Sequence, residues 1–248
     1  PEPKEPANSA ETERILRTTM HWISQQVGSN HEPAAAKQGP ELPSADERLE
    51  GLLQAMGGRA AWAAAEAVKV DATHYSTVFR LPHRNEIWND FRAPRLRIEA
   101  TSDEIDRALE LDGDTGSRRR ESDVRPLTAA EVTEQQRWWE SNVYRTLHRL
   151  ARRDPELSVR MLGPNRLGVF RRDGVRLNWL ELNQANEPIL FGTWDSETGT
   201  IFGPLMTSPS GLKHSKWAAS GDGTWRVELR EVSVIRGQTV IRGSGRES

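Results

Sequence analysis

Apolar positions recur at helical spacing in three stretches of the chain and at alternate positions through most of the rest. Ile15, Thr19, Trp22, Ile23 and Val27 fall on one face of a helix that Gly28 closes. Residues 1–10 read as a disordered tail, and 29–43, with Pro and Gly but no periodicity, as a linker. Ser44 and Glu47 have the spacing of a capping box, and Leu49, Leu52, Leu53 and Met56 continue as an apolar stripe that Gly57 stops. Thr128 and Glu131 repeat the box, and Leu127 and Val132 are placed as a hydrophobic staple. Val132, Trp139, Val143, Leu147 and Leu150 then run down one face of a helix predicted from 128 to 153, which Pro155 ends.

From Val68 the period changes to two. Val68, Val70, Ala72 and His74 share one face, and Lys69, Asp71, Thr73 and Tyr75 the other. EIWNDF and RLRIEA continue as strands around Pro94, and Asp112-Gly113-Asp114 turns a hairpin. Beyond the long helix, turn signals recur at 163–165, 173–174, 183–186, 195–199, 210–211 and 222–223, the spacing of an antiparallel meander. Strands and helices do not alternate. The fold class is therefore α+β: a large curved antiparallel sheet, an incomplete barrel, wrapping a long helix, with helices at the N-terminal end. The domain expected is 44–235, preceded by a tail, helix and linker at 1–43 and followed by a tail at 236–248.

The Gly57-Gly58 break within LLQAMGGRAAW raises the question of a phosphate cradle. Such a loop needs a strand before the glycines and a helix after them. Here a helix comes first and no GK[ST] follows, so the break reads as a corner.

Charge and composition narrow the function. The net charge of -2 over 248 residues lacks the basic footprint of a nucleic-acid binder, and no nucleic-acid partner is expected. The absence of cysteine excludes disulfides and thiolate chemistry. No apolar run approaches the ~20 residues of a membrane span. The opening PEPKEPANSAE has no Met and reads as a processed or trimmed form, with any signal peptide or lipobox upstream of residue 1.

The segment LLQAMGGRAAWAAAEAVKVDAT, a helix, Gly57-Gly58, a short second helix and a strand from Val68, resembles the start of LolA-like domains, the superfamily of bacterial lipoprotein carriers. The matching order of elements runs over roughly 44–235. LPHRNEIWNDFRAPRLRIEA and WWESNVYRTLHRLARRDPELSVR resemble a bacterial subgroup of that superfamily without an assigned activity. The resemblance implies a half-barrel whose concave side holds acyl chains. It implies an exported protein, periplasmic or secreted or tethered as a lipoprotein, that binds a lipid or other apolar ligand and is not an enzyme.

RWWESNVYRTLHRL is the most aromatic helical stretch. It either plugs the curved sheet as core or leaves a gap beside its rings. The second alternative predicts an elongated apolar pocket lined by Trp88, Trp138, Trp139, Val143, Tyr144 and Trp179. No HExxH or GxSxG occurs, and neither a metal nor a cofactor is expected. Two rival functions follow from other segments. His83, Glu86 and Asp90 lie close in sequence and suit a hydrolase loop. The helix at 12–28 suits a structural module that docks an envelope protein. Arg118-Arg119-Arg120 reads as a solvated edge strand, with an anionic headgroup contact as the alternative.

Overall fold

The computed structural model describes residues 7–28, 43–79, 81–194 and 199–236, with side chains placed from residue 10 to 22 in the first helix. Of the expected tails, linker and turn, residues 1–6, 237–248, 29–42 and 195–198 lie outside it, as do the side chains of Ile23 and Val27. The first helix, α1 (Ala7–Gly28), starts inside the stretch expected to be disordered. It is followed by α2 (Ala45–Ala55) and α3 (Arg59–Ala63). Six strands come next: β1 (Ala67–Ser76), β2 (His83–Asp90), β3 (Arg95–Thr101), β4 (Asp106–Asp112), β5 (Thr115–Arg120) and β6 (Asp123–Pro126). Two helices, α4 (Ala129–Ser141) and α5 (Val143–Ala151), lead to the second run of strands. These are β7 (Leu157–Met161), β8 (Arg166–Arg171), β9 (Arg176–Leu182), β10 (Pro188–Thr193) and β11 (Thr200–Phe202). The last are β12 (Leu205–Thr207), β13 (Lys213–Ser215), β14 (Trp217–Ser220) and β15 (Trp225–Ile235).

Thirteen strands form one open, curved antiparallel sheet in the order β6-β5-β4-β3-β2-β1-β15-β14-β11-β10-β9-β8-β7, and β12 and β13 form a separate hairpin. Two meanders are thus joined at a central seam, where β1 pairs with β15 from Ala67 opposite Ile235 to Ser76 opposite Trp225. The edges β6 and β7 come from the middle of the sequence, and β7 is a strand the turn signals do not announce.

The pairing register defines two faces. On the inner face Val70, Ile87, Ile98, Leu109 and Arg118 form one cross-strand row, and Ala72, Asn85, Ala100, Arg107 and Arg120 the next. The helices α2 to α5 cover this face. Leu52, Leu53, Trp62, Leu147, Leu167 and Leu180 are wholly buried between them and the second meander. Each such leucine contributes about 1.5–3 kcal/mol relative to exposure. Both expected capping boxes are present: Glu47 N–H donates to Ser44 Oγ at 3.2 Å and Glu131 N–H to Thr128 Oγ1 at 3.3 Å, each with the reciprocal bond to the carboxylate.

The Gly-Gly break is a corner. Gly58 N–H donates to Leu53 O at 2.8 Å and Gly57 N–H to Gln54 O at 3.2 Å, the paired bonds of a Schellman helix stop. Lys213 N–H then takes Met56 O at 2.9 Å and docks β13 on the same corner.

The helix predicted from 128 to 153 is two helices. Asn142 leaves the helical region at φ −57°, ψ 132° and caps α5, its side chain accepting from the N–H groups of Tyr144 and Arg145. The carbonyl freed at Ser141 accepts from Asn178 Nδ2 at 3.1 Å, and that same amide nitrogen donates to Thr146 Oγ1 at 2.7 Å. The apolar stripe passes through the break because the core needs it on both sides.

The helix α1 lies on the outer face. Ile15, Leu16 and Thr19 are buried, Arg226 Nη1 donates to Thr19 Oγ1 at 2.8 Å, and Trp22 meets Trp217 edge-on at 4.8 Å. Arg226 and Trp217 face outward, because their neighbours in the register are Tyr75 and the Glu228–Thr73 pair. The buried stripe expected to dock another protein is therefore occupied, from Ile15 to Trp22, by the chain's own sheet.

Candidate functional site

Four of the six expected ligand-lining residues sit on α4 and α5 against the inner face. Trp139 is buried with Leu96, Leu111 and Val132, and Trp138 packs on the edge of that cluster. Trp139 Nε1 donates to Asp90 O, and the Arg145 guanidinium lies 3.7 Å from its ring. Burial, with Arg149 nearby, lowers the Arg145 pKa to about 10. Val143 and Tyr144 belong to the neighbouring cluster around Leu147, where Tyr144 stacks on Trp62 at 5.9 Å. Burial pushes the Tyr144 phenol up.

The other two lie elsewhere. Trp88 stands opposite Lys69 and Arg97, on the outer face. Trp179 stands opposite Gly168 and Gly192, also on the outer face, with the Arg166 guanidinium 4.2 Å from its ring. Trp88 and Trp179 therefore share no pocket with Trp139. Under α4 and α5 the rings fill the inner face.

Open space on the inner face begins where α4 ends its cover of β3 to β5. A cleft of about 560 Å³ lies there, with Ile98, Ala100 and Leu109 as floor and Arg107, Arg118, Arg120 and Arg125 along its side, together with the carboxylate of Asp123. Arg107 is the direct cross-strand partner of Arg120, and Arg118 of Arg125. Glu131 accepts from Arg125 at 2.7 Å and lies 3.5 Å from Arg118. Those bonds, with the capping bonds from Thr128, hold its carboxyl far below the usual carboxylate range. Arg119, between these residues in sequence, points to the outer face and pairs with Asp106. Sequence reasoning notices the arginine triplet but not its partner Arg107. The i, i+2 spacing of Arg118 and Arg120 is the signal that puts two of the three on one face.

Beside the floor, three polar atoms of the inner face are buried with no hydrogen-bond partner among the described residues: His74 Nδ1, His83 Nδ1 and Asn85 Oδ1. Asn85 is the cross-strand partner of Ala100 in the cleft floor. The two imidazoles pair across β1 and β2 with ring centroids 4.6 Å apart, and Phe79 closes edge-on over His83 at 5.1 Å. The Arg107 guanidinium lies 5.3 Å from the Phe79 ring. Burial, reinforced by His83, pushes the His74 pKa down to about 4. Burial and the nearby Arg107 lower His83 as well. Both shifts favour the neutral ring.

The sequence-adjacent hydrolase residues do not converge. His83 is on the inner face, while Glu86 is on the outer face in ion pairs with Lys69 at 3.0 Å and Arg84 at 3.2 Å. Asp90 Oδ1 accepts from the Arg92 N–H at 2.7 Å. Strand alternation separates what the linear sequence brings close. Among the described residues no group of three or more His, Asp or Glu converges on a metal position, and no helix is long and apolar enough to cross a membrane.

No protein-family pattern and no curated protein matches the sequence. Solved structures are similar in fold. A LolA superfamily protein from Nitrosomonas europaea aligns at 13% identity and a TM-score of 0.44, over 79% of this chain and 96% of that one. A DUF1329 family protein from Desulfovibrio piger aligns at 8% identity and 0.41, over 79% and 95%. An outer membrane lipoprotein-sorting protein domain from Vibrio parahaemolyticus aligns at 8% identity and 0.44, over 79% and 95%. At such values the likeness assigns no activity to this chain.

Proposed function

We propose that this protein is a non-enzymatic binder of an apolar chain, a lipid or similar molecule, on the inner face of its open sheet. One observation carries the reading: a cleft of about 560 Å³ opens on the inner face beyond the helices, with Ile98, Ala100 and Leu109 as an apolar floor among charged side chains. A partly exposed apolar floor inside a curved sheet gains stability from a chain that displaces water from it. A place in the bacterial envelope is proposed with it, on the sequence resemblance around Gly57-Gly58.

The test is titration of the intact protein with 1-dodecanol while tryptophan emission and melting temperature are followed. Trp138 borders the cluster that includes Ile98 and Leu109, so its emission is placed to respond. Binding by the native protein, and its loss in a folded Ala100→Phe variant, is the expected result. Unchanged emission and melting temperature at saturation sink the reading. The structural-module alternative then takes its place, favoured by the rings of Trp139 and Tyr144 that fill the face under α4 and α5.

A further inference from the structure

We infer that Arg107 and Arg120 bind the anionic head, a phosphate or carboxylate, of an amphiphile whose chain lies on Ile98, Ala100 and Leu109. The chain half of this inference rests on the function proposed above; the head half stands on a separate observation.

That observation is an unbalanced pair of arginines. The register sets Arg107 directly opposite Arg120 and Arg118 directly opposite Arg125, all on the inner face. Like charges directly opposite each other weaken a sheet. The protein answers this at one pair and not at the other. Between Arg118 and Arg125 it places Glu131, whose carboxylate reaches both guanidinium groups and is fixed by the Thr128 capping box. Arg107 and Arg120, paired across β4 and β5 where the other pair spans β5 and β6, have no ion pair among the described residues, and both side chains are exposed. Asp123 also lines the cleft and stands opposite Arg120 in the register, without closing an ion pair to it.

One member of the open pair is also restrained. The Arg107 guanidinium lies 5.3 Å from the Phe79 ring, a contact that limits its swing. Guanidinium groups of residues paired across neighbouring strands can both donate N–H bonds to the oxygens of one phosphate or carboxylate. An oxyanion there would repeat the bridge that Glu131 makes one step along the sheet. The adjoining floor is apolar rather than polar, which favours an oxyanion attached to a hydrocarbon chain over a free ion. The protein as a whole carries a net charge of -2, so the attraction is local to this cleft.

The experiment compares four probes on the intact protein: dodecyl phosphate, dodecanoate, 1-dodecanol and inorganic phosphate. Each is titrated against the native chain and against Arg107→Gln and Arg120→Gln. The two anionic amphiphiles are expected to bind at least about tenfold more tightly than dodecanol, and each substitution is expected to remove about tenfold of that, as for loss of a charge-assisted hydrogen bond. Dodecanol affinity should be unchanged, and raised salt should weaken only the anionic probes. Removing one of two opposed charges should leave the melting temperature unchanged or higher, which separates lost binding from lost folding. Equal affinity for dodecanol and dodecyl phosphate, unmoved by either substitution, overturns the head assignment and leaves the chain-binding function intact. Inorganic phosphate binding as tightly as dodecyl phosphate overturns the amphiphile. Failure of all four probes removes the proposed function and this inference with it.

Discussion

The indole N–H of Trp139, on α4, donates to the main-chain carbonyl of Asp90 at the end of β2. This bond ties the helix layer to the inner face at a point where both groups are buried. Trp139→Phe keeps an aromatic ring and deletes the donor, leaving the carbonyl without it. The expected cost is about 1–3 kcal/mol, read as a lower denaturant midpoint. A midpoint equal to the native one shows that the carbonyl has found another donor.

The buried imidazoles make stability depend on pH. Burial first, and His83 second, hold His74 down at about 4 from the usual 6.5, and His83, His148 and His214 are also lowered by burial. Below about pH 6.5 the unfolded chain takes up protons that the folded chain refuses, so stability falls as the pH drops toward 4 and is fully present above 6.5. His74→Gln removes one of these groups and should make the fall shallower by on the order of 1–3 kcal/mol. Urea unfolding at pH 7.5, 6 and 4.5 measures it. Parallel slopes for the two proteins would contradict the assignment.

The two glycines of the corner should differ in their tolerance of a side chain. Both have positive φ, 106° at Gly57 and 99° at Gly58. A Cβ on Gly58 meets nothing within 4 Å, whereas one on Gly57 falls 2.8 Å from Gly211 O and 2.9 Å from Leu212 Cα. Gly58→Ala should therefore cost backbone strain alone, about 1–3 kcal/mol. Gly57→Ala should cost more, because main-chain atoms must also move. Melting temperatures ranked the other way would show that the β12–β13 hairpin yields easily.

Helix starts supply another measurable set. Thr128→Ala removes the cap of α4 and Asn142→Ala that of α5, and each should cost about 0.5–2 kcal/mol. Asn142→Ala has a second reading, because it favours one continuous helix over two. Helical content by circular dichroism that rises while the midpoint falls would show that the break is imposed by the core and not by the local sequence.

Local features are the ones the sequence shows well. The capping boxes at Ser44 and Thr128 depend on residues three apart and are present where the spacing puts them. The alternation that sets Val68, Val70 and Ala72 on one face also holds. The break at Asn142 escapes periodicity because Asn178, 36 positions later, takes the freed carbonyl. The seam between β1 and β15 is likewise a long-range pairing that no window of sequence contains. The faces of Trp88 and Trp179 follow from register, which hydrophobicity does not report for an aromatic residue on a strand flanked by charges. The arginine cleft falls between these cases. The hairpin turn is visible at Gly113, but only the pairing of Asp112 with Thr115 puts Arg107 opposite Arg120.

The chain from β6 to β7 starts at one edge of the sheet and ends at the other. Laid flat, thirteen strands at ~4.8 Å spacing span about 58 Å. The crossing is made by α4, of 13 residues, and α5, of 9, which measure about 20 and 14 Å at ~1.5 Å per residue. Even with every joint drawn straight the crossing would barely reach, and the bend at Asn142 draws in its ends. The sheet is thus strung like a bow, with the two helices as its chord. One extra turn in α4 would lengthen the chord and let the limbs relax; one turn fewer would draw them together over whatever lies between.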